Sequence, residues 1–140
     1  MGELVQLAVA PVFLLVAIGS LLNVVTGRLG RVVDRARALE EKIAAAPDTT
    51  DRTYVLGELR SLERRMTYCH WSINFFSVAA LIVALLVATV FIADTSIPAQ
   101  NTAISVLFIT AVFGIILGMG YFIAEVSVAT RTVHVRSEFR

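Results

Sequence analysis

Charged residues are scarce in this chain of 140 residues: they make up 16%, against about a quarter in an average soluble domain. Cys69 is the single cysteine, which excludes an internal disulfide. The two histidines lie far apart, without a CxxC or HExxH motif, so no metal site is predicted. A glycine-rich phosphate loop and a supported Ser/His/Asp set are also missing. We therefore expect no enzyme, no catalytic residues and no cofactor.

Apolar residues are abundant instead, at 57% of the chain with a mean hydropathy of +0.79. A helix needs about 20 mostly apolar residues to cross a bilayer. Three segments without Lys, Arg, Asp or Glu reach this length, at roughly 4–26, 71–93 and 103–124. The sequence predicts a single all-α integral membrane domain over residues 1–140, with three transmembrane helices.

The basic residues are distributed unevenly around these spans. Nine of the twelve lie between the first and second spans, and the other three follow the third. With three spans, both regions are on one side of the membrane, and the positive-inside rule makes that side cytoplasmic. The prediction is an N-terminus outside, an external loop at 94–102 and a cytoplasmic tail at 125–140. With a net charge of only +1, nucleic acid is not an expected partner.

The segment between the first two spans, 27–70, has the apolar pattern of two helices in a hairpin. Apolar residues recur at alternating spacings of three and four, as in a coiled-coil seam. They are Leu29, Val32, Ala36, Leu39 and Ile43, then Val55, Leu59, Leu62, Met66, Cys69, Ile73 and Phe76. Pro47 and the polar residues after it predict a turn at 47–52. We expect both spans to continue into an antiparallel coiled-coil hairpin that projects about 25 Å into the cytoplasm.

Charges predict a register for this hairpin. Folding the chain about residue 49 brings opposite charges together at three places: Arg35 with Glu63, Asp34 with Arg64, and Lys42 near Glu58. Each exposed pair contributes only about 0–1 kcal/mol. The apolar seam is therefore expected to supply most of the stability.

Six residues near the cytoplasmic ends of the spans form a candidate polar vestibule or pore lining: Ser20, Asn23, Gly27, His70, Asn74 and Glu125. Polar side chains at this depth usually face protein or a water-filled cavity. Two interpretations stay open. One is an ion pathway in which His70 and Glu125 titrate; the other is hydrogen bonding between helices together with ordinary snorkelling to the membrane surface.

Small residues four apart predict close helix packing. They are Gly114 and Gly118 in the third span, and Ala80, Ala84 and Ala88 in the second. Packing within one chain and contact between subunits are both compatible with the pattern.

Arg28 and Arg31 directly follow the first span, where they fit either anionic lipid headgroups or a role in setting topology.

Three stretches resemble a family of small bacterial membrane proteins known as domain of unknown function, number twenty-seven twenty-one. They are Ala-Pro-Val-Phe-Leu-Leu-Val-Ala-Ile-Gly at 10–19, Arg-Leu-Gly-Arg-Val-Val-Asp-Arg-Ala-Arg-Ala-Leu at 28–39 and Leu-Glu-Arg-Arg at 62–65. The resemblance covers nearly the whole chain. It implies three spans in a bacterial inner membrane, and it supplies neither an activity nor a cofactor.

Two functions of different classes follow. The first is a structural scaffold: a homo-oligomer whose cytoplasmic hairpin holds a protein partner. The alternative is a homo-oligomeric ion channel, in which a ring of about four or more first spans lines the pore. A secondary transporter is disfavoured because internal repeats and broken helices are not visible.

Overall fold

A computed structural model describes residues 2–45, 52–92 and 98–134, and all of them are helical. Helix α1 covers Gly2–Ala45, α2 covers Arg52–Ile92 and α3 covers Pro98–His134. Each helix contains a window long and apolar enough to cross a membrane. The predictions of an all-α chain and of three membrane-spanning helices are therefore confirmed.

The helix ends follow local chemistry. Helix α1 ends at Ala45, just before Pro47, and the residue that precedes a proline disfavours the helical conformation. The predicted turn at 47–52 lies outside the described residues except for Arg52, which begins α2. Helix α3 begins at Pro98, since proline fits the first helical position. The predicted loop at 94–102 is therefore too long, because its last five residues are helical.

The central element is α2, which packs against both α1 and α3. Its buried side chains are spaced three and four apart from Cys69 onwards, and Leu62 lies seven residues earlier. They are Leu62, Cys69, Ser72, Phe76, Ala79, Val83, Leu86 and Val90. The main apolar core joins several of them to Ile18 and Val25 of α1 and to Ala111 of α3. One continuous face of α2 thus holds both neighbours.

A second apolar cluster lies towards the C-terminal end of α1 and the N-terminal end of α2. Val32, Ala36 and Leu39 of α1 are buried with Leu62 of α2. Val55, Leu59 and Met66 complete this cluster from α2. Seven of the residues assigned to the hairpin seam from their spacing are thus packed together, which joins the two helices beyond the main core.

The charged register of the hairpin differs from the prediction. Two N–H groups of Arg35 donate to Glu58 Oε1, at 3.0 and 2.9 Å. The expected partner, Glu63, is exposed, as are Asp34 and Arg64, and no ion pair joins these three within the described helices. Exposed pairs contribute about 0–1 kcal/mol, too little to set the register against buried apolar packing.

Gly114 and Gly118 of α3 pack against α2 within the chain, one of the two alternatives that their spacing left open, and they meet a different face of α2 from the predicted alanines. A Cβ added at Gly114 would lie 3.3 Å from the Ala79 Cβ, and one at Gly118 would lie 2.8 Å from the Phe76 ring. The hydroxyl of Ser72 also donates to the Gly118 carbonyl, at 2.8 Å.

The alanines predicted for this contact lie largely elsewhere on α2. Ala84 and Ala88 are exposed, and Ala80 is only partly buried, at the edge of the core. The α2 residues that contact α3 keep the alternating spacing of three and four residues that begins in the predicted hairpin seam. The alanines are four residues apart throughout, so each one lies further around the helix from this contact face.

Candidate functional site

A fully buried glutamate joins the three helices. Glu125 of α3 has 0% exposure. Arg28 of α1 donates from Nε to Glu125 Oε2 at 2.9 Å. Arg65 of α2 donates from Nε to Oε1 at 2.9 Å, and its terminal NH₂ nitrogen lies 2.9 Å from the same oxygen. We call this set of Arg28, Arg65 and Glu125 the ionic junction.

Its position follows from the sequence. Glu125 comes directly after the apolar stretch of α3, Arg28 comes two residues after that of α1, and Arg65 comes six residues before that of α2. All three thus lie beyond the apolar stretches, at the same end of the three helices. Moving an isolated carboxylate out of water costs several kcal/mol. Two guanidinium groups, one on each carboxylate oxygen, offset this cost for Glu125.

Apolar and aromatic side chains hold the ionic junction in place. The Arg28 guanidinium lies 5.7 Å from the centre of the Phe122 ring, a cation–π contact. One turn before Glu125, Tyr121 stacks on Phe75 with ring centres 5.5 Å apart and on Trp71 with ring centres 6.2 Å apart. These contacts pack α3 against α2 next to Glu125.

Next to the ionic junction, a groove opens between α1 and α2. It has a volume of about 320 Å³ and is lined by Arg28, Arg31, Val32, Arg35, Leu62 and Arg65. We call it the arginine groove. None of the lining residues is acidic, and Arg31 is exposed without an acidic partner among the described residues. The groove therefore has cationic walls and a partly apolar floor.

The structure separates the six residues of the predicted polar vestibule. Glu125 is buried, whereas Ser20, Asn23, Gly27, His70 and Asn74 are exposed. The Ser20 hydroxyl donates to the carbonyl of Val16 in its own helix, at 3.1 Å. Glu125 instead belongs to the ionic junction, because two arginines reach it from neighbouring helices. The six residues therefore do not come together within one chain, and a pore or vestibule formed by several copies stays a prediction.

Sequence reasoning singled out Glu125 and Arg28 but did not bring them together, and it left Arg65 out of the site. One available pattern pointed to the association: a lone acidic residue at the end of one span, with basic residues at the same end of the other two.

No group of three His, Cys, Asp or Glu within the described helices is arranged to hold a metal ion. The lone thiol, Cys69, is fully buried in the core.

The three apolar helices and the charged residues at one end of them define an integral membrane protein with three spans. A family model described as "Protein of unknown function (DUF2721)" matches residues 8–135. The chain belongs to this family, which confirms the resemblance drawn from the sequence. Comparison with curated proteins and with solved structures finds no match.

Proposed function

We propose that the protein is a homo-oligomeric scaffold of the bacterial inner membrane, with its N-terminus outside and its C-terminus in the cytoplasm. The observation that carries the proposal is the length of the first two helices. With 44 and 41 residues, α1 and α2 are about 66 and 62 Å long, roughly twice the thickness of a hydrocarbon core. Both therefore extend well beyond the membrane as a paired arm.

The sidedness of this arm rests on its charges. It contains nine of the twelve basic residues, and the other three follow the apolar stretch of α3, which favours a cytoplasmic arm. The ionic junction supports a scaffold because it fixes the base of the arm to α3. An arm that is fixed to the membrane domain holds a bound partner at a defined distance and direction.

Assembly of several copies is supported by the outer face of α1. Asn23 is exposed within the apolar stretch, and a polar side chain at this depth is costly unless it faces protein or water. Gly27 and Gly30 on the same helix have open space where a Cβ would be. Such positions allow a second helix to approach closely. We therefore place the subunit contact along α1.

The subunit count of the full chain in nanodiscs, measured by native mass spectrometry, tests assembly. Asn23→Leu should shift the population towards monomers, because it removes the polar contact while keeping the side-chain size. Asn74→Leu is the matched control, since Asn74 is also an exposed asparagine near the end of a span. A wild-type monomer, or equal behaviour of the two variants, would count against assembly through α1.

The scaffold role itself requires a test in cells that lack the gene. Exposed charges on the arm, at Arg37, Glu40, Glu41 and Arg60, are replaced by glutamine while the buried apolar residues are kept. This variant should insert and assemble normally but fail to restore the deletion phenotype. Full complementation would contradict a scaffold that works through the arm.

An ion channel is the second candidate, and it is favoured by the same exposed face of α1. Ser20, Asn23 and Gly27 are exposed, as a pore lining made of several α1 helices requires. In liposomes, a ring of subunits should conduct, and Asn23→Ala should change that flux. Thr110→Ala, at an exposed polar residue of α3 outside the candidate lining, should not. A monomer or dimer, or the absence of flux under voltage, tension or pH steps, excludes the channel.

A further inference from the structure

We propose that the arginine groove binds a negatively charged phosphate group, as carried by an anionic phospholipid headgroup or by a free phosphate. This goes beyond contact of single arginines with the membrane surface, because the groove combines four guanidinium groups from two helices. It does not depend on the scaffold or channel role, nor on which side of the membrane the groove faces.

The charge balance around the groove carries the proposal. Four arginines line it, and the acidic partners bound to them are Glu125 and Glu58. Two positive charges therefore remain uncompensated by these ion pairs. Arg28, Arg31 and Arg35 also lie three and four residues apart on α1, where like charges repel each other. A bound anion between them removes this repulsion.

The arginines are also positioned in advance. Arg28 is held by Glu125 and the Phe122 ring, Arg65 is held by Glu125, and Arg35 is held by Glu58. A guanidinium has five N–H donors, and the hydrogen bonds described here use at most two in each arginine. Donors thus remain for a phosphate, whose oxygens suit the planar guanidinium fork.

The groove has a suitable depth and size for a headgroup. Arg28, Arg31 and Arg65 lie two, five and six residues beyond the apolar stretches of α1 and α2, which corresponds to the layer of lipid phosphates next to the hydrocarbon core. Arg35 lies further out, nine residues beyond the apolar stretch of α1. The volume of about 320 Å³ equals roughly ten water molecules. Val32 and Leu62 supply an apolar floor for the uncharged part of a headgroup.

Arg31 provides the cleanest variant. Its side chain is exposed and forms no ion pair within the described helices, so Arg31→Gln lowers the charge of the groove without disturbing the ionic junction. Arg64→Gln is the matched control. Arg64 is likewise exposed and without an ion pair there, and it lies next to Arg65 but does not line the groove.

The test uses the full chain, stripped of lipid in detergent. It is titrated separately with phosphatidylglycerol, phosphatidylcholine and inorganic phosphate, and bound molecules are counted by native mass spectrometry. Phosphatidylglycerol should bind more tightly than phosphatidylcholine. Because one arginine near a membrane contributes about 1 kcal/mol, Arg31→Gln should weaken phosphatidylglycerol binding about fivefold, and Arg64→Gln should leave it unchanged.

The three titrations distinguish the source of the phosphate. Binding of phosphatidylglycerol without inorganic phosphate identifies a lipid site, whereas binding of inorganic phosphate that Arg31→Gln weakens identifies a site open to soluble anions. Equal binding of the two lipids without phosphate binding overturns the proposal, and so do equal effects of the two variants. The same spectra give the subunit count, so a failure of assembly is distinguished from a failure of anion binding.

Discussion

Replacing Glu125 by glutamine tests the ionic junction directly, because it removes the negative charge while keeping the shape of the side chain. Three N–O contacts of 2.9 Å bind the carboxylate. Removing one partner of a buried ion pair costs about 3–5 kcal/mol. The side chains of Arg28 and Arg65 are 26% and 23% exposed, so water partly stabilises them once they lose their partner. We therefore expect a loss near the lower limit, about 3 kcal/mol.

The assay is equilibrium unfolding of the full chain in mixed detergent micelles with increasing SDS. Trp71, the single tryptophan, lies beside Tyr121 of α3, so its fluorescence reports the separation of α2 from α3. Glu63→Gln is the control, since Glu63 is exposed and forms no ion pair in the described helices. Its free energy of unfolding should change by less than about 0.5 kcal/mol.

A triple variant makes this test stricter. Arg28→Met, Arg65→Met and Glu125→Leu together replace the charged group by apolar side chains, which is often neutral for a buried ion pair. The triple variant should therefore be more stable than Glu125→Gln alone. Equal free energies of unfolding for Glu125→Gln and Glu63→Gln, or a triple variant below the single one, would refute the reasoning.

Three further predictions follow from the packing. Gly118→Ala should lower the free energy of unfolding by about 1–3 kcal/mol in the same SDS titration, because the added Cβ would lie 2.8 Å from the Phe76 ring. Gly120→Ala is the control and should not lower it, because a Cβ at Gly120 has open space. Cys69, with 0% exposure, should react with a membrane-permeant maleimide only after unfolding in SDS, and rapid labelling of the native protein would contradict its burial. A double-mutant cycle on Arg35 and Glu58, whose side chains are 49% and 23% exposed, should give a coupling of about 0–1 kcal/mol; a coupling above about 2 kcal/mol would contradict a solvent-screened pair.

The three spans were predictable because hydrocarbon imposes a simple requirement on the sequence: a long apolar run without charges. Apolar spacing likewise identified residues such as Val32 and Leu62 that pack together between α1 and α2. The loop at 94–102 was predicted too long, because its last five residues belong to α3. Its bounds were set by hydropathy alone, which carries no information about Pro98 as a favourable first residue of a helix.

The contacts between helices were much less accessible from the sequence. Long side chains such as Arg35 reach partners at several positions, so charge matching alone permitted Glu63 where the structure has Glu58. Two faces of α2 carry small residues, and spacing did not decide that Ala79, rather than Ala84, meets α3. The ionic junction depends on how all three helices are rotated about their axes, which pairwise matching along the chain does not specify.

The ionic junction also has a consequence for how the chain is inserted into the membrane. Helix α3 follows α1 and α2 in the chain, and Glu125 lies at one end of its apolar stretch. If α3 entered with the opposite polarity, Glu125 would be separated from both arginines by about 30 Å of hydrocarbon. An inverted α3 would therefore leave the carboxylate without either guanidinium, so the ion pairs of the ionic junction favour one orientation of the third helix over the other.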